Sequence, residues 1–446
     1  MKKTLAMFTA FVLCLSALTG CSGDTTASSA ADAQSAAGTE SAAGTESDAG
    51  TESAAEGETE ELSGSFTYWT FTDFSNNLVE AFEKENPGVD IDIQVFGGDE
   101  YKTKLLTTLQ SGQDIPDVFD LEASYVYEFL DSDMLEDLTA RGFEDLMSDF
   151  YPYVLSTSRD SNGTLKGVNF QTSPVCLWYL RDACEEWLGT SDPDEISSML
   201  GSVEDIMTVA EEVHEKSGGT VSLLGNMKDI ASIMTYSFQP FVRDGKYEMT
   251  QDWIDLIDTM RDFYNSGYDP ELAGWSEDWA AKWNAGELLI RVMPSWDYFT
   301  DWDANAGNVG IAAPFLNAYD GGTIVCMYSG SENKDLGDAF LRYLCSDEFQ
   351  TWNMENNNQV PASQSVSKTL AEDFSAEDFG GQNLMAVYDE INAGISDVIP
   401  DKYTSELESL FTKHARDGIK NGLSNDEIVA NFEAEAKDRY PEIEGL

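Results

Sequence analysis

The chain has 446 residues, with 82 acidic against 25 basic side chains and a formal net charge of −57. That balance excludes a nucleic-acid binder, which must replace counterions on phosphate, and a polybasic membrane-surface protein. Hydrophobic residues make up 42% and aromatics 11%, enough to bury a large core, and the length predicts two domains or one large one.

The N-terminus reads as an address. Lys2 and Lys3 precede an apolar stretch from Leu5 to Leu18, too short to span a bilayer comfortably, and it ends in Leu18-Thr19-Gly20-Cys21. This resembles the bacterial lipobox and implies a signal peptide over 1–20, cleavage before Cys21 and lipidation of Cys21. Acyl chains there would tether the protein to the outer face of a membrane, on a Gram-positive surface. Residues 22–62 hold ten acids, no base and no aromatic, and a hexad repeats as SAAGTE at 35–40 and 41–46, SDAGTE at 47–52 and SAAEGE at 53–58. No apolar face can form, so 21–62 reads as a lipidated cysteine and a disordered acidic linker. The remainder carries 72 acids against 23 bases, so the body itself is acidic.

Phe66-Thr67-Tyr68-Trp69 is a short apolar strand, and Ser75 is placed to cap the helix Leu78-Val79-Ala81-Phe82 that stops at Asn86-Pro87-Gly88. Val89 to Val95 alternates as a half-buried strand does. Glu100 to Gln110 forms a helix with Leu105, Leu106 and Leu109 on one face and Gly112 as its stop, and Pro116 to Leu121 is a third strand. This order predicts a largely parallel sheet covered by helices, with ligands beyond the carboxyl ends of the strands. Further helices are expected at 203–216, 251–265, 334–345, 382–393 and 404–420, and strands at 166–170, 287–292, 308–312 and 323–328.

Six of the ten tryptophans lie between 253 and 302. Trp253 heads an amphipathic helix, which reads as core, and Trp279 and Trp283 stand at i,i+4 spacing, so packing accounts for at least one of them. Trp275 follows Gly274 in a loop, and Trp296 follows Pro294-Ser295 at a strand end. A flat indole matches the apolar C–H face of a sugar ring, and a carboxylate such as Asp297 accepts hydroxyl hydrogen bonds. The same residues fit core packing as well.

Other chemistry is thinly supplied. Cys176, Cys184, Cys326 and Cys345 lack CxxC spacing and sit in apolar settings, as buried free thiols do. The only histidines, His214 and His414, lie in charged segments with no HExxH partner, and no GxSxG elbow, dinucleotide fingerprint or phosphate loop occurs. No metal and no cofactor is expected. Paired carboxylates are abundant, so a glycoside hydrolase stays open on the residues alone. So does a receptor for a polyamine or other cation, held by acids and aromatic faces.

Across 63–446 the chain resembles the extracellular solute-binding proteins, family 1, of carbohydrate ABC transporters. The resemblance rests on Tyr68-Trp69, Phe82 to Val89, Ile115 to Phe119, Asn284-Ala285-Gly286-Glu287 leading to Pro294-Ser295-Trp296, Gly321-Gly322-Thr323, and Ser331 to Lys334 before the helix at Ala339-Phe340-Leu341. Cys326-Met327-Tyr328 and Asn356-Asn357-Asn358 depart from the usual pattern. The resemblance implies an α/β, two-lobed periplasmic-binding-protein-like fold of type II. One lobe would take 63–172 and 314–362, the other 173–313 and 363–446. It implies a non-catalytic monomer that captures a sugar or oligosaccharide in the cleft and delivers it to ABC permease subunits. By the same resemblance the cleft receives Trp69, Asp73, Glu122, Ser124, Tyr125, Gln171, Ser173, Tyr236, Trp275, Trp296, Asp297 and Tyr403.

Overall fold

A computed structural model describes residues 61–299, 305–396 and 400–446. The expected signal peptide, Cys21 and the linker up to residue 60 lie outside the described residues. Two larger sheets organise the described residues. Among the described residues twelve strands occur in chain order: β1 Gly64–Thr70, β2 Val89–Val95, β3 Val118–Glu122, β4 Gly167–Asn169, β5 Gln171–Thr172, β6 Val175–Leu180, β7 Val242–Arg243, β8 Lys246–Tyr247, β9 Ile290–Pro294, β10 Val309–Ala312, β11 Thr323–Met327 and β12 Val360–Pro361.

The first sheet has the order β2-β1-β3-β11-β4. Strands β1, β2 and β3 are mutually parallel, joined by the helices Ser75–Glu85 and Gly98–Ser111. Alternation along the strands divides its two faces. Phe66 and Tyr68 meet Leu78, Phe82 and Phe340 on one side, while Trp69, Phe119 and Leu121 meet Tyr101 and Leu105 on the other. Ser75 is the first helical residue rather than the cap. Phe74 holds the cap position, and the Ser75 side chain is buried with Thr70 and Thr72. Gly112 stops the next helix in the left-handed conformation.

The second sheet, β10-β6-β9, is antiparallel throughout, and β11 runs antiparallel to both of its neighbours. This corrects the expectation of largely parallel pairing beyond the first three strands. The cause is the crossovers. Thr323 opposite Glu122 starts β11 at the carboxyl edge of β3, where the chain arrives from the other lobe. A strand that enters at the edge where its neighbours end must run against them. Strand β6 likewise starts at Val175, opposite Pro294, where β9 ends. The short pair β5 and β12 lies in the crossovers. The result is two α/β lobes whose facing edges are all strand ends or strand starts.

Each lobe has its own core. The second gathers the all-buried β6 with Trp253, Phe241, Phe411 and Phe432, among which rings stack or cross at 4.1 to 5.4 Å. Met354 and Val360 pack there too, although they lie in the range expected for the first lobe. The four cysteines named above are free and buried. Among the described residues, no helix is long and apolar enough to cross a membrane.

Candidate functional site

A cavity of about 920 Å³ opens between the sheets. Its walls come from the ends of β3 and β9, from the crossover at 319–321, from the helix Met227–Met234 and from one stripe of the helix Thr404–Lys420. That stripe runs Thr404, Glu408, Thr412 and Arg416, an i,i+4 row that shares one helix face.

Two indoles form a corner in this cavity. Trp275 is 46% and Trp296 36% exposed, with ring centroids 5.6 Å apart and planes at 78°. Trp296 follows β9 directly, in a short 3-10 turn over Ser295–Phe299. Its Nε1 donates to the Asp320 carbonyl at 2.9 Å. A Cβ on Gly321, whose φ is +82°, would stand 2.9 Å from that same Nε1, so glycine is what lets the crossover pass beneath the ring. Trp275 itself has φ +63°, a conformation that a bulky side chain rarely adopts. The surrounding loop imposes it. Asp269 accepts from the N–H groups of Met227 and Glu271 at 3.1 and 2.7 Å, Leu272 N–H donates to the Gly225 carbonyl at 3.0 Å, and Asn226 Nδ2 donates to the Leu272 carbonyl at 2.7 Å. Such strain persists only where neighbours over-determine it, and it presents the indole to the cavity.

Behind the corner stands Trp279, 6.2 Å from Trp275, with the Arg291 guanidinium 3.5 Å over its ring. Arg291 and Asp297 are both buried and pair at 2.7 Å, and desolvation pulls the arginine down to about 10.

The polar lining is acidic. Asp320 accepts from the Tyr236 hydroxyl, and desolvation by the surrounding walls pushes its carboxyl up while the side chain stays open to the cavity. Glu408 is pushed up to about 8 by burial and then by the charges of Asp320 and Asp401. Asp229 is pushed up to about 6, chiefly by burial. Tyr236 and Tyr319 lie 5.7 Å apart in the floor.

Of the residues expected in the cleft, Ser124, Tyr236, Trp275 and Trp296 line this cavity. Glu122 precedes the lining residues Ala123 and Ser124, and its carboxylate accepts from the Ser124 N–H at 3.2 Å. The others face elsewhere. Trp69 is buried against Phe96 at 4.9 Å with Lys104 over its ring. Asp73 is exposed in the turn after β1 and offers its carbonyl to Asn76. Tyr125 packs on Phe129 beneath Lys102. Gln171 and Ser173 are buried in the crossover, where the Ser173 carbonyl accepts from the Asp320 N–H at 3.0 Å. Asp297 serves Arg291, and Tyr403 donates to Glu442 at 3.1 Å with its ring on Tyr440. Sequence reasoning did not single out Lys228, Asp229, Tyr319, Asp320 or Glu408. The polar i,i+4 row 404, 408, 412, 416 was the available signal for Glu408. Among the described residues, no group of three or more His, Cys, Asp or Glu side chains could hold a metal ion.

A family model described as bacterial extracellular solute-binding protein matches residues 77–378. Solved structures share the fold. A crystal structure of an extracellular solute-binding protein of family 1 aligns with TM-score 0.73 at 17% identity, covering 84% of this chain and 99% of that one. The sugar-binding protein MalE from the phytopathogen Xanthomonas citri aligns at 0.69 and 18%, covering 84% and 98%. The ABC transporter associated binding protein from B. animalis subsp. lactis Bl-04, in complex with beta-1,6-galactobiose, aligns at 0.67 and 17%, covering 85% and 98%.

Proposed function

We propose that this chain, which belongs to the bacterial extracellular solute-binding protein family, captures a saccharide between its lobes and hands it to an ABC importer. The observation that carries the saccharide is the indole corner. Trp275 and Trp296 hold two of the most exposed large apolar side chains of the described residues, and they do so side by side inside a cavity. An indole left half in water at the cost of a strained backbone is suited to an apolar ring face. Carboxylates and tyrosine hydroxyls around it suit a ring's hydroxyl rim. The sugar ligands named for the structural neighbours support the same class.

In this reading Ser124, Tyr236, Trp275 and Trp296 touch the ligand, Glu122 orients Ser124, and Asp297 acts through Arg291 on the aromatic wall. The lobes are 63–172 with 314–362 and 173–313 with 363–446. Family membership implies an extracytoplasmic location, and the lipobox-like Cys21 would supply the anchor, with the acidic linker as spacer. The protein binds without catalysis, as a monomer, and ligand that bridges both lobes favours their closed arrangement.

Trp296→Ala should weaken binding of the best saccharide about tenfold while circular dichroism and thermal unfolding stay close to the parent. Titration of intrinsic fluorescence against a glycan panel reads the affinity. Unchanged affinity removes Trp296 from the site, and a panel with no binder removes the saccharide.

A further inference from the structure

The charges that line the cavity do not cancel. Among the described residues the lining acids are Asp229, Asp320, Asp401 and Glu408, and the lining bases are Lys228, Lys413 and Arg416. Two of the bases are already paired outside the cavity, Lys413 with Glu435 at 3.7 Å and Arg416 with Asp417 at 3.0 Å. Two of the acids have structural partners. Asp229 accepts from the N–H groups of Gly225 and Asn226 at 2.8 and 3.2 Å, and Asp401 accepts from the Tyr403 N–H and the Thr404 hydroxyl at 2.9 Å each. A third, Asp320, accepts from the uncharged Tyr236 hydroxyl and Gly321 N–H, and Glu408 is the fourth. Neither Asp320 nor Glu408 takes part in an ion pair among the described residues, the Asp320 charge raises Glu408, and Lys228 acts on Asp320. The Asp320 carbonyl is also the group that holds Trp296, so this acid and the indole corner belong to one wall.

From this wall we infer, building on the saccharide reading, that the solute is an amino sugar, with its ring on the Trp275–Trp296 corner and its protonated amine between Asp320 and Glu408. A neutral sugar satisfies the ring face but brings no positive charge to two lining carboxyls that have no ion-pair partner among the described residues. An ammonium brings that charge and favours the ionised form of Glu408. A linear polyamine would satisfy the acids but leave the indole corner without a ring face to match.

The pair makes the proton balance a direct readout. Glu408 faces Asp320 from the crossover, Asp401 before its own helix, and Tyr236 and Tyr319 from the floor, with Lys413 and Arg416 further along its helix. With its carboxyl pushed up to about 8, Glu408 is mostly protonated at neutral pH. An arriving ammonium favours its ionised form, so the Glu408 proton leaves to the buffer while the amine keeps its own.

The test is calorimetric titration of the protein with glucosamine, galactosamine, the β-1,4-linked glucosamine dimer and an aminocyclitol-bearing oligosaccharide, each beside its neutral hydroxyl counterpart. The titrations are repeated at pH 7 in two buffers of different ionisation enthalpy. The amine-bearing member of the best pair should bind roughly tenfold or more tightly and release a fraction of one proton. Asp320→Asn and Glu408→Gln, which keep shape, should each weaken the amine-bearing ligand more than its neutral counterpart and so remove most of that preference. If the tightest ligand is neutral and no proton is released, the amine is overturned and the saccharide reading stands. If the variants weaken amine and neutral ligands alike, the carboxyl pair is not what reads the amine. If only linear polyamines bind, both readings fall.

Discussion

At the scale of single residues, two buried acids show how the same chemistry serves different ends. Asp297 neutralises Arg291 behind the aromatic wall. Asp120, at the centre of the first sheet, forms no ion pair among the described residues. The Tyr68 hydroxyl donates to its Oδ1 at 2.8 Å, while Oδ2 has no hydrogen-bond partner. Burial pushes its carboxyl up to about 7. A raised carboxyl contributes stability that is fully present below its unfolded value near 4 and is lost as pH rises through 7. At about 1.4 kcal/mol per pKa unit, the penalty above pH 7 is on the order of 4 kcal/mol. Asp120→Asn should therefore flatten the loss of stability between pH 4 and pH 8, measured by denaturant unfolding at each pH beside the parent. Parallel pH profiles for the two proteins would show that Asp120 stays ionised in the fold.

At the scale of elements, local pattern was a good guide and tertiary context was not visible. The strict alternation of Val89 to Val95 gives β2 residue for residue, and the helices expected at 251–265, 334–345 and 404–420 have those bounds in the structure. The short helices Met227–Met234 and Leu384–Ala393 owe more to packing. The first was not anticipated, although Asn226 and Asp229 form a capping box at its start. Strand direction was not legible either, because it depends on where a crossover arrives and not on side-chain period. The site divides in the same way. Trp275 and Trp296 stood out as loop aromatics at strand ends, whereas Trp69 at a strand end is closed over by Phe96 and Lys104, residues distant in sequence. Asp320 and Glu408 come to line one cavity only when a crossover and a late helix are brought together. Capping was a reliable local signal where the pattern was complete. Ser424 and Glu427 make a capping box at the helix Asn425–Arg439, whose Ile428 and Phe432 enter the second core. Ser424→Ala should cost about 1 kcal/mol in thermal or denaturant unfolding. No loss would mean that packing alone sets that helix start.

At the scale of the whole molecule, the charge of −57 separates into two kinds. Most of the charge on the described residues is solvated surface, where like charges repel other copies of the chain. A small part lies in the cavity, where it is costly in the empty protein and useful only when something positive or richly hydroxylated arrives. Net charge therefore says little about the ligand, and the few carboxyls that face the indole corner say much.

The entry of β11 at the cleft edge has a consequence for how the protein comes to exist. The first sheet is interrupted after residue 169, and its fourth strand arrives only with 323–327, while β4 pairs with nothing in that sheet but β11. Until those residues are synthesised, β3 presents an open edge and β4 has no neighbour. Closing that gap joins segments more than 150 residues apart, which is slow and must wait for most of the second lobe. The lobes are thus mutually dependent in folding, although each has its own core. A fragment ending at residue 315 should lack a cooperative unfolding transition and bind hydrophobic dyes, whereas the 61–446 chain should unfold with one. A fragment with a sharp transition of its own would show that three parallel strands suffice.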